Sequence, residues 1–192
     1  ISTAGPANSF IVPISGTALP SSGSGTVNIA AFTSPVSHLE PTLDFTWLYG
    51  SPNGISYVSA DHYSVTWNGW LAPSSAGNYT FRIDADDKAR VSIDTGSGFQ
   101  QVLENGWDTP ATGGYKESAP IALAVPGSPA ARYPIRVEFV ETTGDARCKF
   151  QWKSGSGSFA NIASSNVFTD NSGSTPGWSA VYLDQTFDPP LS

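Results

Sequence analysis

Apolar and polar residues alternate along most of this chain with a period of two. Tyr63, Val65 and Trp67 alternate with Ser64, Thr66 and Asn68, and Tyr79, Phe81, Ile83 and Ala85 with Thr80, Arg82, Asp84 and Asp86. An extended backbone sends successive side chains to opposite faces, so this pattern predicts strands with one buried face. The turn-forming stretch Pro73–Asn78 between the two runs predicts a hairpin or a connection between paired strands. Val91 and Ile93 continue the pattern, and Thr95-Gly96-Ser97-Gly98 makes a tight turn before Phe99–Leu103. Ile121, Leu123 and Val125 form another run, closed by Pro126-Gly127-Ser128-Pro129. Ile135, Val137 and Phe139 alternate with Arg136, Glu138 and Val140; Cys148, Phe150 and Trp152 alternate with Arg147, Lys149, Gln151 and Lys153. No stretch carries a 3.6-residue apolar period. Seven or more short strands at this spacing predict an all-β fold, an antiparallel β-sandwich of two sheets.

The flanks differ from this core. Residues 1–35 hold Pro, Ser and Gly clusters, with short apolar runs at Phe10–Ile14 and Val27–Phe32, and read as a linker with possible edge strands. Residues 36–170 form the sandwich core. In residues 171–192, the segment Gly177–Asp188 predicts one more strand, which either closes this sandwich or opens a next module.

Composition narrows the function. At 192 residues the chain suits one domain with a full core, and 12% aromatic residues exclude a disordered chain. Charged residues are 13%, about half the usual share, while 19 glycines and 15 prolines fit a turn-rich β protein. A net charge of −7 argues against nucleic acid and favours a cation or a neutral ligand. One cysteine, Cys148, rules out an internal disulfide and a cysteine-based zinc site, and two histidines leave little room for histidine chemistry. His38 falls in a loop and His62 before a strand, neither with an obvious partner. No apolar run is long enough to span a bilayer, so membrane insertion is not expected. The chain begins at Ile1 and lacks methionine, which reads as a module excised from a longer parent chain with neighbouring modules. Low lysine content and Ser/Thr/Gly richness suit a secreted or cell-surface setting.

Asp84, Asp86 and Asp87 are the densest carboxylate cluster in a sequence with few charges. At a strand end such oxygens suit a hard cation such as Ca²⁺, which takes 6–8 oxygen ligands in irregular geometry.

Residues 61–94, DHYSVTWNGWLAPSSAGNYTFRIDADDKARVSID, carry linked motifs in order: Tyr-Ser-Val-x-Trp-x-Gly, a proline, Gly-x-Tyr-x-Phe, and Asp-Asp-x-Ala-Arg-Val-x-Ile-Asp. Asn105-Gly106-Trp107, Tyr133–Phe139 and Ala146–Trp152 follow as further matching segments. Over roughly residues 40–168 the chain resembles the anthrax protective-antigen domain family, a β-sandwich module of toxins, glycosidases and adhesins. In lectin-type members two successive aspartates, joined by a cis peptide, bind Ca²⁺ with sugar hydroxyls completing its shell. The resemblance assigns those roles to Asp86 and Asp87. It also implies two ligands from the loop after the Tyr-Pro strand, at positions held here by Glu141 and Asp145. Glu141 departs from the fungal pattern, which has asparagine, and Lys88 departs from the usual small residue.

Trp107, Asp108 and Tyr115, in the long loop Asn105–Glu117, are candidate sugar contacts, with local packing as the competing reading of Trp107. Cys148, Trp67, Trp152 and Trp47 fall on the inward register and read as core. Asn78-Tyr79-Thr80 is a glycosylation acceptor pattern only in a eukaryotic source. Three function classes remain. The leading expectation is a calcium-dependent carbohydrate-binding (lectin) module of a bacterial adhesin, binding neighbouring hydroxyls of cell-surface or extracellular glycans. The alternative is a non-catalytic accessory domain of a glycoside hydrolase or toxin, without independent sugar binding. An enzyme acting alone is not expected: adjacent aspartates suit chelation rather than acid–base work on opposite faces of a sugar, and no Ser-His-Asp constellation appears.

Overall fold

The computed structural model describes residues 35–184, apart from 53, 56–57, 111–112 and 126–131. The predicted runs Phe10–Ile14 and Val27–Phe32 and the turn Pro126–Pro129 lie outside the described residues. Thirteen strands are described: β1 (Val36–Glu40), β2 (Asp44–Leu48), β3 (Tyr63–Leu71), β4 (Gly77–Asp86), β5 (Lys88–Asp94), β6 (Phe99–Asn105), β7 (Lys116–Glu117), β8 (Ile121–Leu123), β9 (Tyr133–Glu141), β10 (Ala146–Ser154), β11 (Ala160–Asn161), β12 (Val167–Phe168) and β13 (Trp178–Leu183). They form two antiparallel sheets. One runs β1-β13-β3-β9-β5-β6, with β12 also on β3; the other runs β11-β10-β4-β7, with β2 also on β10 and β8 on β4. Among the described residues no helix is long and apolar enough to cross a membrane.

The two-residue period sets the core. Tyr63, Val65 and Trp67 of β3, Phe81 and Ile83 of β4, and Ile135, Val137 and Phe139 of β9 are buried between the sheets. Cys148 and Phe150 of β10 join them. Aromatic pairs organise the core: Phe81 stacks on Phe150 of the neighbouring strand at 5.8 Å, while Phe150 meets Trp178 edge-on at 6.1 Å and Trp47 tilts against Phe139 at 5.6 Å, both across the two layers. Each pair contributes about 0.5–1.5 kcal/mol beyond its burial. Trp47 and Trp67 are core residues, while Trp152 is half-buried against Tyr79 at 4.8 Å.

Two expectations are corrected. β3 and β4 neither pair nor form a hairpin, because they lie in different sheets and Pro73–Asn78 crosses between them. Both inward faces are apolar, so alternation alone does not distinguish a neighbour beside a strand from one facing it. His38 lies within β1 rather than in a loop, and its Nδ1 is 2.9 Å from Glu40 Oε1.

The chain changes sheets again between β4 and β5, with Asp87 alone between them. The Asp86–Asp87 peptide is cis. This crossing sets both carboxylates at the rim where the two sheets meet.

Gly69 of β3 marks a close approach in the core. A Cβ there would stand 2.6 Å from Val167 Cγ2 and 3.1 Å from Trp178 Cε3. Both neighbours are fully buried, so neither has room to withdraw. Gly69→Ala is expected to destabilise the domain by about 1–3 kcal/mol through overpacking, read as a lower urea midpoint at unchanged slope. An unchanged midpoint would contradict this packing.

Candidate functional site

Antiparallel pairing makes strand ends coincide with neighbouring strand starts, and here the coincidence gathers acids. Tyr63 at the start of β3 pairs Glu141 at the end of β9, and Lys88 at the start of β5 pairs Val140. In the other sheet Asp86 at the end of β4 pairs Arg147 at the start of β10. One rim of the sandwich therefore holds Asp61, Asp86, Asp87 and the connection Glu141–Asp145.

Glu141 is the unusual member. Ile135, Val137 and Phe139 face the core, and the next residue on that register is Glu141. Its side chain is fully buried, and neither Oε1 nor Oε2 has a hydrogen-bond partner. Asp145 Oδ1 is likewise buried without one, as is the Tyr63 hydroxyl opposite Glu141. Burial, then the charges of Asp87, Asp86, Asp61 and Asp145, push the Glu141 carboxyl up to about 8. Burial and the Glu141 charge also push the Tyr63 phenol upward. A carboxylate removed from water with no donor is costly. A hard cation facing the same acids would satisfy it, so this all-oxygen donor set fits Ca²⁺ chemistry.

The connection around Glu141 is tied down by its backbone. Asp87 Oδ2 accepts from Thr142 N at 2.6 Å and from the Thr142 hydroxyl, while His62 N donates to Thr142 O at 3.1 Å. Asp61 Oδ1 accepts from Gly144 N at 3.0 Å. Arg147 bridges two acids on the outer face of its sheet, with Nε 3.1 Å from Asp84 Oδ1 and Nη1 2.9 Å from Asp86 Oδ2. Among the described residues, no three His, Cys, Asp or Glu side chains already stand as a formed metal shell. One oxygen of Asp86 is turned to Arg147 and one of Asp87 to Thr142, so ligation would use their other oxygens or a turn of the side chains.

The expected residues separate into two groups. Asp86, Asp87, Glu141 and Asp145 come together, and Asp61 joins them. Asp61 lies outside the sequence-based expectation, and its place two residues before Tyr63, the partner of Glu141, is the signal that points to it. Trp107 and Asp108 follow β6, whose last residue Asn105 pairs Ala89 just beyond Lys88, so they flank the rim. Trp107 lies under the Arg90 guanidinium at 4.3 Å and 5.7 Å from Lys88 Nζ. Asp108 Oδ2 accepts from Gln101 at 2.7 Å. Glu104 anchors this loop, accepting from Trp107 N and Asp108 N and from the Thr109 hydroxyl, and its carboxyl is held below the ordinary value despite its burial. Tyr115 covers Arg82 at 4.0 Å, on the face of the second sheet.

The Glu141 shift has a consequence for stability. Its folded value of about 8 exceeds the ordinary 4.5, so between these pH values the folded chain holds a proton that the unfolded chain has lost. With a chelator present, stability is expected to fall as pH rises from about 5 to about 8, by up to about 1.4 kcal/mol per pH unit. Glu141→Gln removes this component and flattens the profile. Denaturant melts of both proteins across that range test it, and identical slopes would contradict it.

Comparison with known proteins agrees with this architecture. Anti-sigma-I factor RsgI3 of Acetivibrio thermocellus is 26% identical over 130 residues, which is 68% of this chain and 18% of that protein. A solved structure of an anti-sigma factor domain-containing protein is also 26% identical, with a TM-score of 0.57 over 68% of this chain and 41% of that one. The Epithelial Adhesin 6 A domain from Candida glabrata, solved with Galb1-3GlcNAc, is 17% identical at a TM-score of 0.51, over 65% of this chain and 63% of its own; it shares the fold. The chain thus spans well under half of the anti-sigma relatives it matches. The PA14 domain family matches residues 19–164, running through both sheets and across the Asp86–Asp87 crossing, and the chain belongs to that family.

Proposed function

We propose that this chain is a calcium-dependent carbohydrate-binding module of a secreted or cell-surface protein. The observation that carries this reading is Glu141, a fully buried carboxylate with both oxygens unpartnered beside four aspartates. Asp86, Asp87, Glu141 and Asp145 would hold the ion, with Asp61 adding negative potential from the edge. Bound there, calcium supplies open coordination positions for two neighbouring sugar hydroxyls. The protein does the rest: Thr142 and Arg147 orient the Asp87 and Asp86 carboxylates, and aspartate oxygens accept hydrogen bonds from those hydroxyls. The Epithelial Adhesin 6 domain, solved with a galactose-containing disaccharide, supports a neutral glycan as ligand.

The parent protein has two readings. The adhesin relative supports a cell-surface adhesin. The 26% likeness to an anti-sigma-I factor supports a module that presents a glycan signal to a regulatory parent. Binding without catalysis suits both.

Calorimetric titration is expected to give one calcium isotherm for the wild type. Asp87→Asn and Glu141→Gln should each weaken it at least about tenfold, and unchanged affinity in both variants would overturn the assignment. A glycan array run with millimolar calcium and again with chelator is expected to show selective signals that vanish on chelation. Binding that survives chelation would contradict a calcium-held sugar. Silence in both conditions from folded protein would favour the accessory-domain role.

A further inference from the structure

The loop between β2 and β3 presents a surface that the fold does not require. Tyr49 is 78% exposed and Leu48 56%, the two most exposed large apolar side chains among the described residues. They are consecutive. Phe99 and Tyr115, also exposed, lie under the guanidiniums of Arg136 and Arg82, whereas the Tyr49 ring has no ring contact among those described.

Both ends of the loop are fixed in register with the carboxylate rim. Leu48 pairs Ala146, the residue after Asp145, and at its other end Asp61 and His62 bond Gly144 N and Thr142 O. Its body is anchored in the core by Ile55 and Val58, each 6% exposed. Leu48 (φ 53°) and His62 (φ 60°), which bracket it, are the two non-glycine residues with positive φ among the described residues. Histidine tolerates this region but leucine avoids it, and outliers such as Leu48 gather at binding sites, where surrounding structure over-determines them. An anchored loop that turns a tyrosine outward at a polar rim has the features of a preorganised contact.

We propose that Tyr49, flanked by Leu48, is a stacking wall for the sugar held at the carboxylate rim, and that it sets which pyranose face is accepted. This rests on the carbohydrate-binding reading above. The apolar C–H face of a pyranose covers an aromatic ring while its hydroxyls on the other side reach the ion. Tyrosine suits a wet site because its ring is apolar and its hydroxyl stays in water.

The test compares wild type, Tyr49→Ala, Tyr49→Phe and Tyr115→Ala on the glycan array in calcium, with calcium titration and thermal melting of each. Tyr49→Ala is expected to weaken the best glycan about tenfold and to change the ranking of glycans. Its calcium affinity and melting temperature should stay as in wild type. Tyr49→Phe keeps the ring and should bind like wild type, as should Tyr115→Ala. If wild type binds no glycan, the carbohydrate reading falls and this wall with it. If wild type binds and Tyr49→Ala binds equally well, only the wall is overturned. Loss of calcium affinity in Tyr49→Ala would overturn it too, by revealing a structural role.

Discussion

The inward register of β9 is the constraint on which the site depends. A strand that turns Ile135, Val137 and Phe139 into the space between the sheets must turn its next alternate residue the same way, and that residue is Glu141. The packing that makes the sandwich stable thus buries a carboxylate at its mouth. Tyr63, held opposite by the same pairing that aligns β3 and β9, offers no hydrogen bond to it. The aspartates around it raise its cost of ionisation rather than relieve it. A cation is the partner whose charge and coordination preference answer all these groups together.

The remaining charges near the rim are arranged differently. Arg147 sits on the outer face with Asp84 and Asp86, and Arg90 pairs with Glu138 on the outer face of the other sheet, over the Trp107 ring. Arg147 and Arg90 thus have acids of their own, and Lys88 Nζ stands 5.7 Å from the Trp107 ring. Thr142 and Gly144 donate to Asp87 and Asp61, which ties the Glu141–Asp145 connection to the crossing between β4 and β5 and to the start of β3. Three separate stretches of chain therefore meet at one point, brought there by strand pairing and tied by these hydrogen bonds.

Much of this was legible in the sequence because strand alternation is a local property. The inward residues of β3, β4, β9 and β10 follow directly from their period, and so does the burial of Cys148. Asp86 and Asp87 stand out as a carboxylate cluster, whereas Glu141 and Asp145 are implied only by the family resemblance. Their convergence is a consequence of non-local pairing, such as Tyr63 with Glu141, that no local pattern encodes. For that reason no local pattern singles out Asp61, and alternation alone lets β3 and β4 read as partners although they lie in different sheets. Tyr49, an exposed aromatic in a loop, has no periodic signature; only its exposure and the left-handed Leu48 beside it distinguish it.

The central claim is that Glu141 is a cation ligand rather than a buried acid kept protonated. A crystal structure determined at neutral pH with millimolar calcium tests it most directly. The account predicts an ion with at least one Glu141 oxygen at about 2.3–2.6 Å, together with oxygens of Asp86 or Asp87. A fully ordered rim with no ion and Glu141 still unliganded would contradict it.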